Sequence, residues 1–155
     1  RGLKAEDLEQ RLRPFLEAAG LVVDDQKLHR IVPHIQPRLE VLPDAIPLVE
    51  FLFKDQIERD LGAMLKKGMD AGKAREICGR AAAAFEALGE FDAAAVEGAL
   101  RKLAEEAGLS AGPVFTVIRI AVTGQKVTPP LFESIYALGR DQTVRRLQET
   151  AELLG

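Results

Sequence analysis

Apolar positions recur along this chain with helical spacing nearly from end to end. Leu8, Leu12, Phe15 and Leu16 share one face, and Gly20 follows where a helix end favours the left-handed conformation. Pro14 lacks a backbone donor, which predicts a kink or a helix restart just before it. Asp24 or Asp25 can cap a second helix that buries Leu28, Ile31 and Ile35. Pro33, Pro37, Pro43 and Pro47 then break the next stretch into short helices and turns, ending in Phe51-Leu52-Phe53.

Beyond that point the stripes lengthen. Ile57, Leu61, Met64 and Leu65 predict a helix that stops at Gly68. Asp70 can cap the next, with Ala74, Ile77, Cys78, Ala81, Phe85 and Leu88 inward and Gly89 as terminator. Asp92 caps another, with Val96, Leu100, Leu103 and Ala107 inward and Gly108 at its end. A final helix from about Asp141 buries Val144, Leu147 and Ala151. The segment 114–122 is β-branched and reads as a strand from propensity alone. It has no second strand to pair with, and a lone strand is unstable, so helix is the expectation. The prediction is an all-α chain of two packed helical subdomains, 1–54 and 55–155, divided where proline-broken turns give way to alanine-rich helices.

With 155 residues, 47% hydrophobic and 29% charged, the chain has the composition of a globular protein of one ordinary domain or two small ones. It opens on Arg1-Gly2 without methionine, which reads as a piece of something longer. No apolar run is long enough for a membrane span, and a single cysteine, Cys78, excludes an internal disulfide. A reducing, cytoplasmic setting is the expectation. The net charge of −3 argues against binding nucleic acid by charge alone. From Gly108 onward the balance tilts the other way: Arg119, Lys126, Arg140, Arg145 and Arg146 against Glu133, Asp141, Glu149 and Glu152, a net of +1.

No catalytic set can be assembled. His29 and His34 are five apart, so on a helix they diverge, and Cys78 is remote in sequence, which leaves no zinc site. Cys78 lies on an alanine-rich face and reads as inert core. Gly68-Met69-Asp70-Ala71-Gly72-Lys73-Ala74 has too short a glycine spacing, no Ser or Thr after the lysine and no preceding strand, so it is not a phosphate loop. Patterning alone therefore ends at an all-α domain without an assignable role.

The last third carries more. Arg119-Ile120-Ala121-Val122-Thr123-Gly124 is followed by Thr128-Pro129-Pro130-Leu131-Phe132-Glu133 and then by Leu138-Gly139-Arg140. This ordered set resembles the signature near the C-terminus of bacterial-type glutamyl-tRNA synthetases. Arg13-Pro14-Phe15-Leu16 and Gln36-Pro37-Arg38-Leu39-Glu40-Val41-Leu42 resemble elements of the helical subdomain that precedes it in the same family. The resemblance covers nearly the whole chain, most thinly over 54–108. It departs at Val117-Ile118, where the family often has proline.

The resemblance implies an anticodon-binding helical cage that recognises glutamate-specific tRNA, with no membrane partner, no metal and no cofactor in this region. ATP and Mg would belong to a catalytic domain N-terminal to it, whose nucleotide motifs are absent here, so no catalytic residue is expected in this chain. By position in the motifs, Arg38 is expected at the last anticodon base and Arg119 at the first, with Thr128, Pro129 and Leu131 lining the cage. Each has a plainer reading. A lone helical arginine is usually solvated surface, Thr128-Pro129 makes a good helix start, and Leu131 can be core. Two other functions compete: a helical protein–protein adaptor, which requires an exposed apolar groove, and a free-standing enzyme, which requires an acid–base or metal set.

Overall fold

The structure is a computed structural model that describes residues 4–66 and 68–155; the opening Arg1-Gly2 lies outside them. Among the described residues there are nine α-helices and no strand. They are α1 (Ala5–Ala18), α2 (Asp25–Ile35), α3 (Ala45–Val49), α4 (Leu61–Met64), α5 (Ala71–Ala87), α6 (Ala93–Ala107), α7 (Ala111–Thr123), α8 (Leu131–Leu138) and α9 (Arg140–Leu154). Short 3₁₀ turns at Gln36–Arg38 and Leu42–Asp44 lie between α2 and α3, and a third at Glu50–Phe53 extends α3.

The caps explain most boundaries. The Asp24 carboxylate accepts the backbone N–H of Gln26 at 2.9 Å and of Lys27 at 3.1 Å, satisfying two of the donors that a helix start leaves free. Asp70 does the same for Lys73 and Asp92 for Ala95, each at 2.8 Å. At the end of α1 the Leu21 N–H reaches the Leu16 carbonyl and the Gly20 N–H reaches that of Glu17, a paired closure built on the positive φ of Gly20. The β-branched stretch is helical: Val114, Val117, Ile118, Ala121 and Val122 are buried on α7. Burial on several sides outweighs the weak helix propensity of those residues.

Three expectations are revised. Of the kink or restart expected at Pro14, the restart does not occur: α1 runs through the proline, with the ring exposed and Leu8, Leu12 and Leu16 buried beneath. Burying a leucine contributes roughly 1.5–3 kcal/mol, which offsets one lost backbone hydrogen bond. The stripe from Ile57 to Leu65 yields only the four-residue α4, because Arg59, inside that stretch, is drawn inward to backbone carbonyls. Gly89 does not terminate α5 in a left-handed conformation; the helix ends at Ala87 and Leu88 is extended. Its free carbonyls are taken instead by a side chain from elsewhere. Arg140 donates to Phe85, Glu86 and Leu88 through Nη1 and to Gly89 through Nη2, over 2.5–3.2 Å.

One hydrophobic core runs from Leu8 on α1 to Leu147 on α9. α5 lies along α9 in the most extensive helix pairing, while α2 packs on α8 and α6 packs on both α7 and α8. The packing of α2 on α8 brings the turn after α2 beside the loop before α8. That neighbourhood holds the candidate residues.

Candidate nucleic-acid interface

Arg38 closes the 3₁₀ turn that continues α2 without a break. The next residues are held by Asp44, whose Oδ2 accepts the N–H groups of Glu40 at 3.0 Å and Val41 at 3.1 Å. Arg38 itself is exposed, and its Nη1 donates to the Thr128 carbonyl at 2.5 Å. A guanidinium has five N–H donors, so most of this fork still faces outward.

Arg119 points from α7 towards the same residue. Its Nε donates to Thr128 Oγ1 at 3.1 Å, and Thr128 Oγ1 in turn donates to the Pro129 carbonyl at 2.7 Å. The chain thus joins two arginines, far apart in sequence, through one buried threonine. Half-burial of Arg119 strips water from its guanidinium and lowers its pKa. Neither arginine forms an ion pair among the described residues, where Arg13, Arg59, Arg80, Arg101 and Arg145 all do. Two adjacent cations without carboxylates make a site suited to acceptor-rich or anionic partners.

The loop that carries Thr128 is fixed at both ends. Gly124 ends α7 with φ of +72°, and a Cβ there would stand 2.1 Å from the Glu58 carbonyl oxygen. Only glycine fits that close approach. Thr123 Oγ1 accepts the Gln125 N–H at 3.0 Å, and the Gln125 amide donates to the carbonyls of Pro47 at 2.8 Å and Val127 at 3.0 Å. On the far side, Ser134 Oγ donates to the Pro129 carbonyl at 3.2 Å.

Of the five residues singled out from sequence, Arg38 and Arg119 each contact Thr128, and Pro129 is bonded to Thr128. Pro129 is buried and Leu131 is only 4% exposed, so neither presents its side chain on an open rim. Sequence reasoning missed the buried supports. Arg146, 1% exposed, donates to the carbonyls of Val122 at 2.8 Å, Phe51 at 3.0 Å and Lys54 at 2.7 Å. It ties the end of α7 to the turn after α3, and burial, with repulsion from Arg145 and Arg59, pushes its pKa down to about 10. Arg59 adds a bond to the Ala121 carbonyl at 2.9 Å. The signal for Arg146 was present: Thr143, Arg146, Leu147 and Thr150 form a complete helical stripe, and all four are buried.

The other chemistry stays plain. Cys78 is buried and its thiol is pushed up to about 12 by desolvation, far from a reactive thiolate. Among the described residues no group of three or more His, Cys, Asp or Glu could hold a metal ion, and no helix is long and apolar enough to cross a membrane. Among the described residues the large apolar side chains left exposed are Val22, Val41, Val127 and Leu153, from four separate segments.

Comparison with known proteins agrees with the motifs. The family model described as an anticodon binding domain matches residues 7–151. Glutamate–tRNA ligase of Roseiflexus sp. (strain RS-1) is 39% identical over 154 residues, covering 96% of this chain and 30% of the ligase. That of Paenarthrobacter aurescens is 34% identical over 155 residues, again 96% of this chain and 30% of the ligase. The chain therefore spans about 30% of the length of these relatives. A solved glutamate tRNA ligase from Elizabethkingia meningosepticum shares the fold, with a TM-score of 0.81 at 21% identity over 99% of this chain and 30% of that one. The chain belongs to the anticodon binding domain family and is homologous to the corresponding part of glutamate–tRNA ligases.

Proposed function

We propose that this chain reads the anticodon of glutamate tRNA as one part of a longer glutamate–tRNA ligase, with Arg38 and Arg119 as the reading groups. ATP and Mg would act in the catalytic part of that ligase, which attaches glutamate to the tRNA. The carrying observation is the convergence of two arginines, neither ion-paired among the described residues, on Thr128. Anticodon bases are single-stranded and can be splayed out and bonded along their Watson–Crick edges, which is how proteins usually read RNA sequence. Cytosine presents adjacent acceptors there, and a guanidinium fork meets them with two donors. The last base of a glutamate anticodon is cytosine, and Arg38, exposed with an open fork, takes it in this reading. Arg119 takes the first base, Thr128 orients both arginines, and Pro129 and Leu131 fix the start of α8 that lines the cage.

The test is charging by the complete ligase with Arg119 replaced by alanine. Weaker apparent affinity for glutamate tRNA with nearly unchanged turnover of bound tRNA is expected, because the side chain acts by binding alone. Unchanged affinity with collapsed turnover would contradict the assignment. The chain by itself is expected to lack glutamate-dependent ATP–pyrophosphate exchange.

A further inference from the structure

Next to the Arg38–Thr128–Arg119 cluster lies a cation–aromatic stack that the sequence motifs do not mark. The guanidinium of Arg101, on α6, sits 5.3 Å from the centroid of the Phe115 ring and 6.0 Å from that of Phe132. The two rings meet edge to face, with centroids 5.3 Å apart. Glu97, one turn back on α6, accepts from Arg101 Nε at 2.8 Å and so aims the side chain. The arginine is nevertheless 56% exposed, and both rings are half-buried.

Position connects this stack to the cluster. Phe115 precedes Arg119 by one helical turn, so the two lie on one face of α7. Phe132 is the second residue of α8, directly after the loop in which Thr128 meets both arginines. The stack thus continues the cluster along the junction of α7 and α8 and extends it onto α6.

An arginine that only covers apolar surface is satisfied by laying its stem there. Here the charged head itself lies within 6.0 Å of both ring centroids. With Nε taken by Glu97, the two terminal nitrogens have no other hydrogen-bond partner among the described residues, and the head is open to a partner. A planar cation backed by aromatic rings is a platform on which a nucleobase stacks, and such stacking accepts any base because every base has a π-face. Resting on the reading that this chain holds an anticodon loop, we infer that Arg101, backed by Phe115 and Phe132, is a stacking step for an unpaired loop base flanking those met by Arg38 and Arg119. It supplies affinity without sequence preference, which distinguishes it from the two reading arginines.

The experiment uses the complete ligase and anticodon stem-loop RNAs of glutamate tRNA. Each carries, at one unpaired loop position in turn, a fluorescent purine analogue whose emission falls on stacking. One position outside the three anticodon bases is expected to dim on binding the wild-type protein. Arg101→Ala should restore that emission and weaken binding by about five- to twentyfold. Arg101→Lys keeps the charge but lacks the plane, so it should also lose the dimming while the dependence of binding on salt stays the same. If Arg101→Ala leaves affinity and every emission unchanged while Arg119→Ala weakens binding, the stacking step is wrong and the anticodon reading stands. If the wild-type protein binds none of the stem-loops, both fall.

Discussion

Two sets of arginines in this molecule have the same chemistry and opposite settings. Arg146, Arg140 and Arg59 spend their donors on backbone carbonyls: of Val122, Phe51 and Lys54; of Phe85, Glu86, Leu88 and Gly89; and of Ala121 and Arg146. Arg38 and Arg119 each give one donor to Thr128 and have no other hydrogen-bond partner among the described residues. Residue type therefore does not separate the internal clamps from the arginines proposed to read bases; the degree of satisfaction does. A guanidinium held by several acceptors is an internal clamp, even for Arg146, whose buried Nε lacks a partner among the described residues; one held by a single acceptor is positioned but still available.

The largest effect expected from this contrast is at Arg146. Arg146→Ala removes a buried cation and strands three carbonyls, so stability should fall by about 3–5 kcal/mol in chemical unfolding. A change below about 1 kcal/mol would mean that the clamp is ornamental and that the contrast is false. Gly124→Ala should come next, at roughly 2–3 kcal/mol, because it adds backbone strain at positive φ to a clash with the Glu58 carbonyl. It should also weaken tRNA binding, since the loop that carries Thr128 starts there. Destabilisation without any loss of binding would uncouple that loop from the site.

A smaller and more selective effect is expected at Thr128. Thr128→Val keeps the shape of the side chain and removes the hydroxyl that takes the Arg119 bond and gives one to Pro129. Stability should fall by about 1 kcal/mol, and affinity for glutamate tRNA by about fivefold through loss of orientation. Binding unchanged in the folded variant would show that Arg119 needs no positioning from the threonine.

The same contrast explains what could be read from the sequence. Helix starts at Asp24, Asp70 and Asp92 and the ends at Gly20 and Gly108 were legible because caps and glycine turns are local chemistry. The helical state of 114–122 followed from the absence of any strand to pair with it. Arg38, Arg119 and Thr128 were legible only as parts of a spaced motif; their meeting depends on α2 packing against α8, which no local pattern encodes. The clamps were missed although the stripe on α9 marks Arg146. An arginine in a sequence reads as surface, and what buries Arg146 or turns Arg59 inward is the unpaired carbonyls of distant helix ends. The end of α5 shows this most directly: Gly89 looks like the terminator, but the cap is Arg140, more than fifty residues away.

The central claim is that a half-satisfied arginine reads a base, and Arg38 tests it most directly. Facing cytosine, its fork finds acceptors; facing the guanine of a glutamine anticodon, it finds donors, and groups left unpaired cost about 1–3 kcal/mol each. The complete ligase should therefore favour glutamate tRNA over glutamine tRNA, and Arg38→Gln should reduce that preference by about fivefold or more, because an amide offers either a donor or an acceptor. The measurement is charging efficiency on both tRNAs for the wild-type protein and for Arg38→Gln. A lowered ratio in a folded variant is the predicted result, and an unchanged ratio would make Arg38 a surface arginine resting on Thr128.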